Sequence, residues 1–588
     1  MSDSVIIFTF SPIQSFISEA RRAEDLFNGS TILSELSRAA ASTLGTNHLI
    51  YPDSLANDPP NVLVARIPGE DASRLANDAK KALYKRWEDI AQQALEEMDL
   101  PPNWIDSYWK DLWNQQINPE NLWEVYWAAA PIPQNNYALA YDQARRTMDS
   151  LKRSRLFKQS EERGHKDSLS GKRAALHTAQ EKRAKKYWER LTNLKRFLPS
   201  KIRPKGRERL DAIGIVKRFA ELKADPFPST STVAAADFLQ TAKVKSLVEL
   251  HIYRDLLEEL FGTSVFRPNK KDLDWPYDGD LLYQTTLTPE RFEEDYHFTP
   301  STSQVASCQE ALTALYKACE SHPSAYYAVV MFDGDHMGKT IDELLKQPNA
   351  EIGHKEFSNK IKNFANQVQG MVKGGGGFLT YNGGDDVVYM SPLSKAIPIA
   401  QALQAQFHSI TGNTASAGIA IGHHQSPLDF TIEEARQAEK SAKNEAGRDA
   451  LCVHVLKRSG EPLEIRSKWG HLKYIDKEDN SLKDILSELI ALFESNQFSS
   501  RLAYSVQRDA IALSGLNTEA RKSGLKVILK RQSESNFSQE EIWADRLNHW
   551  ASALDNYLPM PKNGSPPGLL ELGNWLILAR FLASGGGE

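Results

Sequence analysis

Residues 377–390 read GFLTYNGGDDVVYM, two β-rich runs separated by an Asn-Gly pair and two acids. Asn-Gly is a strong hairpin signal, because both central residues of the favoured turn need φ > 0. Gly384, Asp385 and Asp386 follow, and a glycine here lets a bulky ligand approach the backbone closely. Two adjacent carboxylates are unfavourable unless a cation neutralises them. The stretch therefore predicts a β-hairpin with a cation-binding tip; the alternative is a solvated acidic turn.

A second acidic segment, FDGDHMGKT, occupies residues 332–340 after the apolar run AYYAVVM. Its two glycines enclose three residues where a P-loop needs four, so a P-loop is not predicted. In a strand, Asp333 and Asp335 are two apart and point to one face. If this strand neighbours the hairpin, three or four carboxylates converge. That set suits two hard cations such as Mg²⁺, which stabilise the attacking and leaving oxygens of a phosphoryl transfer.

From residue 326 the pattern of elements is β-α-β-β-α-β with a further αβ unit, which predicts a ferredoxin-like or palm domain. The segment VIIFTFSPIQSFI near the N-terminus aligns weakly with AVVMFDGDHMGKTI. In that alignment Ser11 and Ile13 stand where the second segment has Asp333 and Asp335. We expect an α+β chain with two palm domains, of which only the second carries the acids. Two unrelated βα units are the alternative.

The bulk composition is that of a globular protein, with 588 residues, 41% hydrophobic and 25% charged. The sequence has no apolar run near the roughly 18 residues of a membrane span. Three cysteines form no CxxC pair, so neither disulfides nor structural zinc is predicted, which fits a cytoplasmic protein.

Positive charge is concentrated in residues 145–223, which contain 25 Lys and Arg against 9 Asp and Glu, a net +16 in a chain of net −5. Tyr187, Trp188 and Phe197 are interleaved with these charges. The pattern favours contact with a nucleic-acid backbone or an acidic partner. A solvated helical surface is the alternative.

The motif YNGGDD resembles the GGDEF signature of nucleotide cyclases. The chain more closely resembles the large palm-domain subunit of type III CRISPR effector complexes of the Cmr type. The resemblance rests on segments in the family's order, at residues 8–37, 51–67, 227–234 (FPSTSTVA), 333–338 (DGDHMG), 383–386 (GGDD), 416–421 (SAGIAI) and 442–449 (AKNEAGRD).

This resemblance implies an RNA-guided antiviral complex in which the second, GGDEF-related palm converts ATP to cyclic oligoadenylate, with Mg²⁺ or Mn²⁺ as cofactor. It implies other Cmr-type subunits, guide RNA and target RNA as partners, and no membrane. The implied site consists of catalytic Asp385 and Asp386, the metal ligands Asp333, Asp335, Asp385 and Asp386, and the nucleotide-binding residues Gly383, Gly384, Lys443 and Arg448. A lysine on the free helix surface is the alternative for Lys443.

Four domains are expected. They are a first, non-catalytic palm with a helical insertion (1–150), a basic, mostly helical domain with a degenerate zinc-finger remnant (151–300), the catalytic palm (320–458) and a C-terminal helical domain (459–588).

Two departures from the family pattern modify these expectations. The chain starts at the first palm, so the HD nuclease activity of many members is not expected. Members of the Cmr type also carry a zinc site built from two CxxC pairs. Asp167, Ser170, Asp211 and Gly214 stand in the matching stretches, and structural zinc prefers thiolates or imidazoles. No zinc is therefore expected.

Three alternatives to the ATP cyclase stay open. The chain could be a non-catalytic scaffold of the complex, a palm enzyme that joins AMP to another acceptor, or a stand-alone GGDEF-type cyclase that uses GTP. The basic block and the additional helical domains fit the last alternative poorly.

Overall fold

The computed structural model describes residues 3–53, 55, 58–154, 162, 164–181, 183–194, 201–203, 205–222, 226–262, 268–269, 271–296, 298–457, 461–475, 481–560 and 566–586. Its contacts group the chain into two units. The first comprises Met1–Pro323, Met337–Gln369 and Thr380–Asp385, and the second comprises Ser324–His336, Gly370–Leu379 and Asp386–Glu588.

The first unit contains an antiparallel sheet with the strand order β2-β3-β1-β4. Its strands are β1 (Asp3–Ser11), β2 (Leu49–Tyr51), β3 (Val62–Pro68) and β4 (Glu124–Pro131). Helices α1 (Gln14–Ser18) and α2 (Ala23–Leu44) follow β1, and α3 (Ala72–Met98) follows β3. The apolar run at the start of β1 is buried, since Val5, Ile6 and Phe8 have no exposed surface. This strand order is that of a ferredoxin-like palm.

Helices make up most of the rest of the first unit. They are α4 (Ser107–Ile117), α5 (Pro119–Leu122), α6 (Tyr137–Arg153), α7 (Ala184–Thr192), α8 (Ala212–Phe219), α9 (Thr230–Lys245), α10 (Leu247–Phe261), α11 (Pro289–Tyr296), α12 (Thr302–Cys319), α13 (Met337–Leu344) and α14 (Ala350–Gly374), whose last turn belongs to the second unit. Polar residues fix several N-termini. Asp106, Ser229 and Ser301 each accept a hydrogen bond from a backbone N–H of the first turn, which satisfies a donor without an intrahelical partner.

The second sheet has the order β10-β9-β8-β5-β7-β6. Its strands are β5 (Tyr326–Gly334), β6 (Phe378–Asn382), β7 (Val387–Pro392), β8 (Ala415–His423), β9 (Ala450–Val455) and β10 (Leu463–Lys468). Strands β8, β5, β7 and β6 repeat the order of the first sheet, and β9 joins β8 in parallel. The expected α+β fold with two ferredoxin-like palms is confirmed.

Two helices pack with this sheet, α15 (Ala396–Thr411) and α16 (Leu428–Asn444). A glycine allows α16 to lie very close to β8. A Cβ built on Gly418 would stand 2.1 Å from the Glu439 backbone nitrogen and 2.3 Å from the Ala435 oxygen. The close approach fixes the height of α16 above the sheet, and therefore the position of the polar residues at its C-terminal end.

The remainder of the second unit consists of a short hairpin and five helices in the described residues. These are β11 (Lys473–Ile475), β12 (Leu482–Asp484), α17 (Ile485–Glu494), α18 (Leu502–Ser514), α19 (Thr518–Gln532), α20 (Glu540–Asp555) and α21 (Gly568–Ala583). The expectation of helix alone beyond residue 460 is wrong. The segment LEIRSK alternates in burial and pairs with β9 as an edge strand, a pattern too short to stand out in the sequence.

Candidate functional site

The acidic turn consists of residues 383–386 and joins β6 to β7. Within this turn, Gly384 is the one described residue with a positive φ, at +104°. The predicted two-residue Asn-Gly turn is therefore wrong: Asn382 still belongs to β6, where its side-chain amide donates to the Ala365 carbonyl at 2.8 Å. The hairpin itself is present, with a longer tip in which a glycine supplies the left-handed residue.

Both glycines of the turn face close neighbours. A Cβ on Gly383 would lie 2.1 Å from the Tyr381 hydroxyl, and one on Gly384 would lie 2.9 Å from Ile361 Cγ2. The two glycines line a pocket together with Tyr51, Pro52 and other side chains of the first unit (Asp58, Pro59, Pro60, Ser358, Ile361, Lys362 and Ala365). The turn thus presents backbone, without side chains, toward this pocket.

Replacing Gly384 by alanine is expected to destabilise the protein by about 2–3 kcal/mol, because left-handed strain of about 1 kcal/mol adds to the clash with Ile361. The matched control is Gly412→Ala. Gly412 also has a positive φ, +77°, but nothing lies within 4 Å of a Cβ built there. The control should lose only the strain, about 1 kcal/mol. Chemical unfolding of both variants checks this; equal losses would show that Ile361 moves aside freely.

Strand register brings two of the predicted acids together within the second unit. The β5–β7 ladder ends with Phe332 opposite Val387. Asp333 follows Phe332 on β5 and Asp386 directly precedes Val387, so continuation of this register makes them neighbours with a Cα separation of about 4.5–5.5 Å. At the corresponding end of β1 in the first sheet, Ser11 donates to Glu124 Oε2 at 3.2 Å. The first sheet thus has the Ser11 hydroxyl at the position where the second sheet has the Asp333 carboxylate.

Asp333 is an ion-pair partner of Lys443, the last lysine of α16. Lys443 also contacts Glu439, one helical turn earlier, at 2.5 Å. The Lys443 side chain is 17% exposed and that of Asp333 is 30% exposed. Burial and the nearby Arg448 lower the pKa of Lys443 to about 8. The alternative of a lysine on the free helix surface is therefore wrong, because its ammonium lies against the Asp333 carboxylate.

Asp335 lies differently, because β5 ends at Gly334 and the strand periodicity does not reach it. Its carboxylate is completely buried. It accepts hydrogen bonds from the Thr414 hydroxyl (2.9 Å), the Ser416 hydroxyl (2.8 Å) and the Asp449 backbone N–H (2.9 Å). These donors supply the hydrogen bonds that a buried charge requires. In return, the carboxylate holds the surrounding loop in place.

Three consecutive residues after α16 have left-handed backbone, Gly447 (φ +71°), Arg448 (+66°) and Asp449 (+45°). The conformation is unfavourable for the two non-glycine residues, and such strain is concentrated at functional sites. The Lys468 ammonium donates to the carbonyls of Gly447 and Arg448 and supports the turn. The turn places an Arg448 guanidinium nitrogen 3.6 Å from Asp335 Oδ1.

Asp385 is half-buried, and burial raises its pKa to about 6. Asp386 is also half-buried. Within the second unit, Asp333 and Asp386 offer only carboxylate oxygens, the donors preferred by Mg²⁺ and Mn²⁺. These residues therefore fit a hard divalent cation by the chemistry of their donors.

The aromatic residues of the basic block are part of the core. Tyr187 and Trp188 are almost fully buried, and their polar atoms bond the carbonyls of Trp104 (3.0 Å) and Leu176 (2.9 Å). These two rings have no exposed face on which a nucleic-acid base could stack, so they do not support the nucleic-acid contact that the basic block predicts. Phe197 lies outside the described residues.

The stretches that replace the two CxxC pairs form polar networks. Asp167 accepts from the backbone N–H groups of Leu169 (2.8 Å) and Ser170 (2.6 Å) and from the Ser170 hydroxyl (2.9 Å). Asp211 caps α8 by accepting from the Gly214 N–H at 2.6 Å, and its other oxygen accepts from Arg173 Nε at 2.5 Å. Local hydrogen bonds thus hold both stretches.

Sequence reasoning missed Thr414, Ser416 and Glu439, which contact the predicted residues. Glu439 precedes Lys443 by four residues on a helix, a spacing that indicates an ion pair and was available from the sequence. Thr414 and Ser416 carried no comparable signal, because their contact with Asp335 depends on the β5–β8 register.

Comparison with known proteins identifies these elements. The model for the second palm domain of Cas10/Cmr2 matches residues 326–452, and the model for the N-terminal region of the CRISPR-associated protein Cmr2 matches residues 5–59. The Cmr subunit Cmr2 of Pyrococcus furiosus is 25% identical over 540 residues, which cover 76% of this chain and 61% of that relative. The chain thus spans about three-fifths of the length of this curated relative.

Two solved structures share the fold. Chains of the type III-B Cmr-beta cryo-EM structures in the apo state and bound to cognate target RNA match with TM-scores of 0.61 and 0.59. Each match is 13% identical and covers 92% of this chain, and 79% and 80% of those chains respectively. In the described part of the chain, no helix combines the length and apolar character needed to cross a bilayer.

Proposed function

Because this chain belongs to the Cas10/Cmr2 family, we propose that it is the palm subunit of a type III CRISPR complex and converts ATP to cyclic oligoadenylate when target RNA binds. The observation that carries the proposal is the acidic strand end. Asp333 follows Phe332 and Asp386 precedes Val387, the last residues paired between β5 and β7, and Lys443 pairs with Asp333. Carboxylates beside a lysine fit the metal and phosphate groups of a nucleotide.

Asp333, Asp385 and Asp386 would hold Mg²⁺ or Mn²⁺, which supplies charge stabilisation for the attacking and leaving oxygens of phosphoryl transfer. Asp335 is a weaker candidate ligand than the sequence implied. Its oxygens already accept from two hydroxyls and a backbone N–H, so a positioning role is better supported.

Lys443 and Arg448 would bind phosphate oxygens of ATP. Lys443 now neutralises Asp333, and a phosphate group offers the same kind of negative partner. Gly383 and Gly384 have no side chains, so a nucleotide can approach the backbone of the turn. The pocket beside these glycines supports their assignment to nucleotide binding.

Guide RNA, target RNA and the other Cmr-type subunits are the proposed partners. Part of the basic block supports this through an open cleft that Lys185, Lys205, Arg207 and Arg209 line. Two of these residues are balanced by acids of α11, because Lys205 pairs with Glu293 and Arg207 with Glu294. The cleft is therefore less positive than its sequence indicates, and RNA contact would compete with these ion pairs.

The test is to incubate the assembled complex with ATP, Mg²⁺ and target RNA and to separate the products by chromatography. Cyclic oligoadenylate that forms only with target RNA is the expected result. Product from GTP instead, or AMP joined to another acceptor, would select one of the alternative enzymes. No product from any nucleotide would favour the scaffold.

Replacing Lys443 by methionine should lower kcat/KM for ATP by about ten- to a hundredfold, since a charged hydrogen bond to phosphate contributes about 1.5–3 kcal/mol. The matched control is Lys440→Met, on the exposed side of the same helix, which should leave the rate unchanged. Initial rates over a range of ATP concentrations check both variants. Equal rates for the two variants would remove Lys443 from the site.

A further inference from the structure

A cluster of side chains that can bind a metal ion lies on β9 and the edge strand β10 of the second sheet. Cys452 and His454 are two residues apart on β9 and so share one face of the strand. Glu464 on β10 is paired directly with His454. One sulfur, nitrogen or oxygen atom from each of the three side chains lies within 4.8 Å of the others.

The distances in this cluster resemble those between ligands of one ion. Cys452 Sγ is 3.8 Å from Glu464 Oε1, and His454 Nε2 is 3.5 Å from the same oxygen. A tetrahedral zinc ion with bonds of about 2.0–2.3 Å separates its ligand atoms by about 3.4–3.6 Å. Two of the three separations are therefore close to those of zinc ligands, and the remaining sulfur–nitrogen separation lies within 4.8 Å.

The His454 ring supplies an independent observation. Its exposed fraction is 7%, and Nε2 is buried with no hydrogen-bond partner although it is directed toward Glu464. A buried polar atom without a partner is costly, and one explanation is an ion that binds there. The other ring nitrogen, Nδ1, lies 2.8 Å from Glu434 Oε2 on α16. A carboxylate on Nδ1 is the usual support of a histidine that binds metal through Nε2.

The carboxylate of Glu464 is oriented in a similar way. Its Oε2 lies 3.0 Å from Arg466 Nη2, which leaves Oε1 directed toward the cysteine and the histidine. The Ser441 hydroxyl donates to Oε1 at 2.7 Å. Because Glu464 is 36% exposed and Cys452 is completely buried, an ion would enter from the Glu464 side.

We propose that Cys452, His454 and Glu464 form a zinc-binding site, with a fourth position for water. One sulfur, one nitrogen and one oxygen donor suit zinc, whereas Mg²⁺ requires oxygen ligands. Binding replaces the thiol proton of Cys452, which is released to solvent as the sulfur–zinc bond forms. The expectation of no zinc was based on the absence of CxxC pairs and on residues 166–218, and this site uses other residues.

The alternative is a protonated His454 held between Glu434 and Glu464 without any metal. Cobalt distinguishes the two, because thiolate-bound Co²⁺ absorbs in the near-ultraviolet and Co²⁺ on carboxylates alone does not. The full chain, stripped with a chelator, is titrated with Co²⁺ and then with Zn²⁺. We expect the thiolate absorption to saturate at one thiolate-bound Co²⁺ per chain, and to be lost when Zn²⁺ is added. Absence of thiolate absorption in the wild-type chain overturns the proposal.

Variants assign the signal to the cluster. Cys452→Ser should abolish the thiolate absorption, whereas Cys319→Ser, at another buried free cysteine, should retain it. Glu434→Gln keeps all three ligands and should weaken zinc affinity by about ten- to a hundredfold. It serves as the second test if Cys452→Ser does not fold. Thiolate absorption that survives Cys452→Ser, or unchanged affinity in Glu434→Gln, contradicts the assignment. Asp385→Ala with Asp386→Ala should retain the absorption, so this test is independent of the proposed cyclase activity.

Discussion

Product formation from ATP is expected to fall at least about a hundredfold when Asp385 and Asp386 are both replaced by alanine, a loss of about 2.7 kcal/mol in transition-state stabilisation. Asp386 immediately precedes Val387, the β7 residue at the end of the β5–β7 ladder, and Asp385 precedes Asp386. Removing both leaves Asp333 as a single carboxylate, which is too few ligands to retain Mg²⁺ at ordinary concentrations. The measurement is cyclic oligoadenylate formed by the assembled complex with target RNA.

The same double variant should fold as well as the wild type or slightly better at neutral pH. Burial raises the pKa of Asp385 to about 6, so the folded state binds this proton more tightly than the unfolded chain, whose carboxyl has a pKa near 3.9. Because of this raised pKa, the free energy of unfolding decreases as the pH increases from about 4 to 6, and the full loss is present above about pH 6. Alanine removes this cost, and thermal unfolding at pH 5 and pH 7.5 should show a larger gain at pH 7.5.

Assembly and target-RNA binding provide the control, because the basic cleft and the C-terminal helices are unchanged. A matched substitution of two acids outside the acidic turn, the exposed Glu433→Ala with the half-buried Asp509→Ala, should leave product formation unchanged. If the Asp385→Ala, Asp386→Ala complex assembles, binds target RNA and still makes oligoadenylate at the wild-type rate, the active site is elsewhere and the proposed role of the second palm is wrong.

Most of the second palm could be predicted from the sequence, because its strands are buried apolar runs bounded by glycines and acids. The run YYAVVM became β5 and ASAGIAIG became β8, and runs of this kind are identifiable without knowledge of their partners. The edge strand β10 was missed because an amphipathic six-residue segment has no distinctive period. Its pairing with β9 is a long-range property that local sequence does not contain.

Site chemistry was less predictable than the fold. The acids of the turn and of β5 could be identified as a group, because carboxylates at adjacent strand ends are rare without a cation. The different environments of Asp333 and Asp335 could not, since they depend on where β5 ends and on the β8 residues that face Asp335. Likewise, charge counting alone could not show which basic side chains point inward.

Arg218 is the clearest case of a basic side chain that is buried. Its replacement by methionine is expected to destabilise the first unit by about 3–5 kcal/mol. The side chains of Arg218 and Asp25 are both completely buried and form two hydrogen bonds, at 2.5 and 2.7 Å. Arg218 also lies 3.2 Å from Glu208. Methionine fills a similar volume but leaves the buried Asp25 carboxylate without its charge partner. Chemical unfolding of Arg218→Met and of a control, Arg146→Met, measures the loss. Arg146 belongs to the same basic block and is 79% exposed, so its replacement should cost less than about 0.5 kcal/mol.

Adding Asp25→Asn to Arg218→Met should recover at least half of the loss, because the buried charge is then removed while the amide oxygen still accepts from the backbone N–H groups at the start of α2. The recovery separates a structural ion pair from a contact with RNA, which would be lost equally in both variants. If Arg218→Met is as stable as Arg146→Met and instead weakens RNA binding by the complex, Arg218 is a surface residue in solution. The basic block would then have to be interpreted as an RNA-binding surface throughout. If the double variant is less stable than the single one, Asp25 stabilises α2 mainly through its own hydrogen bonds, and the charge of Arg218 is secondary to them.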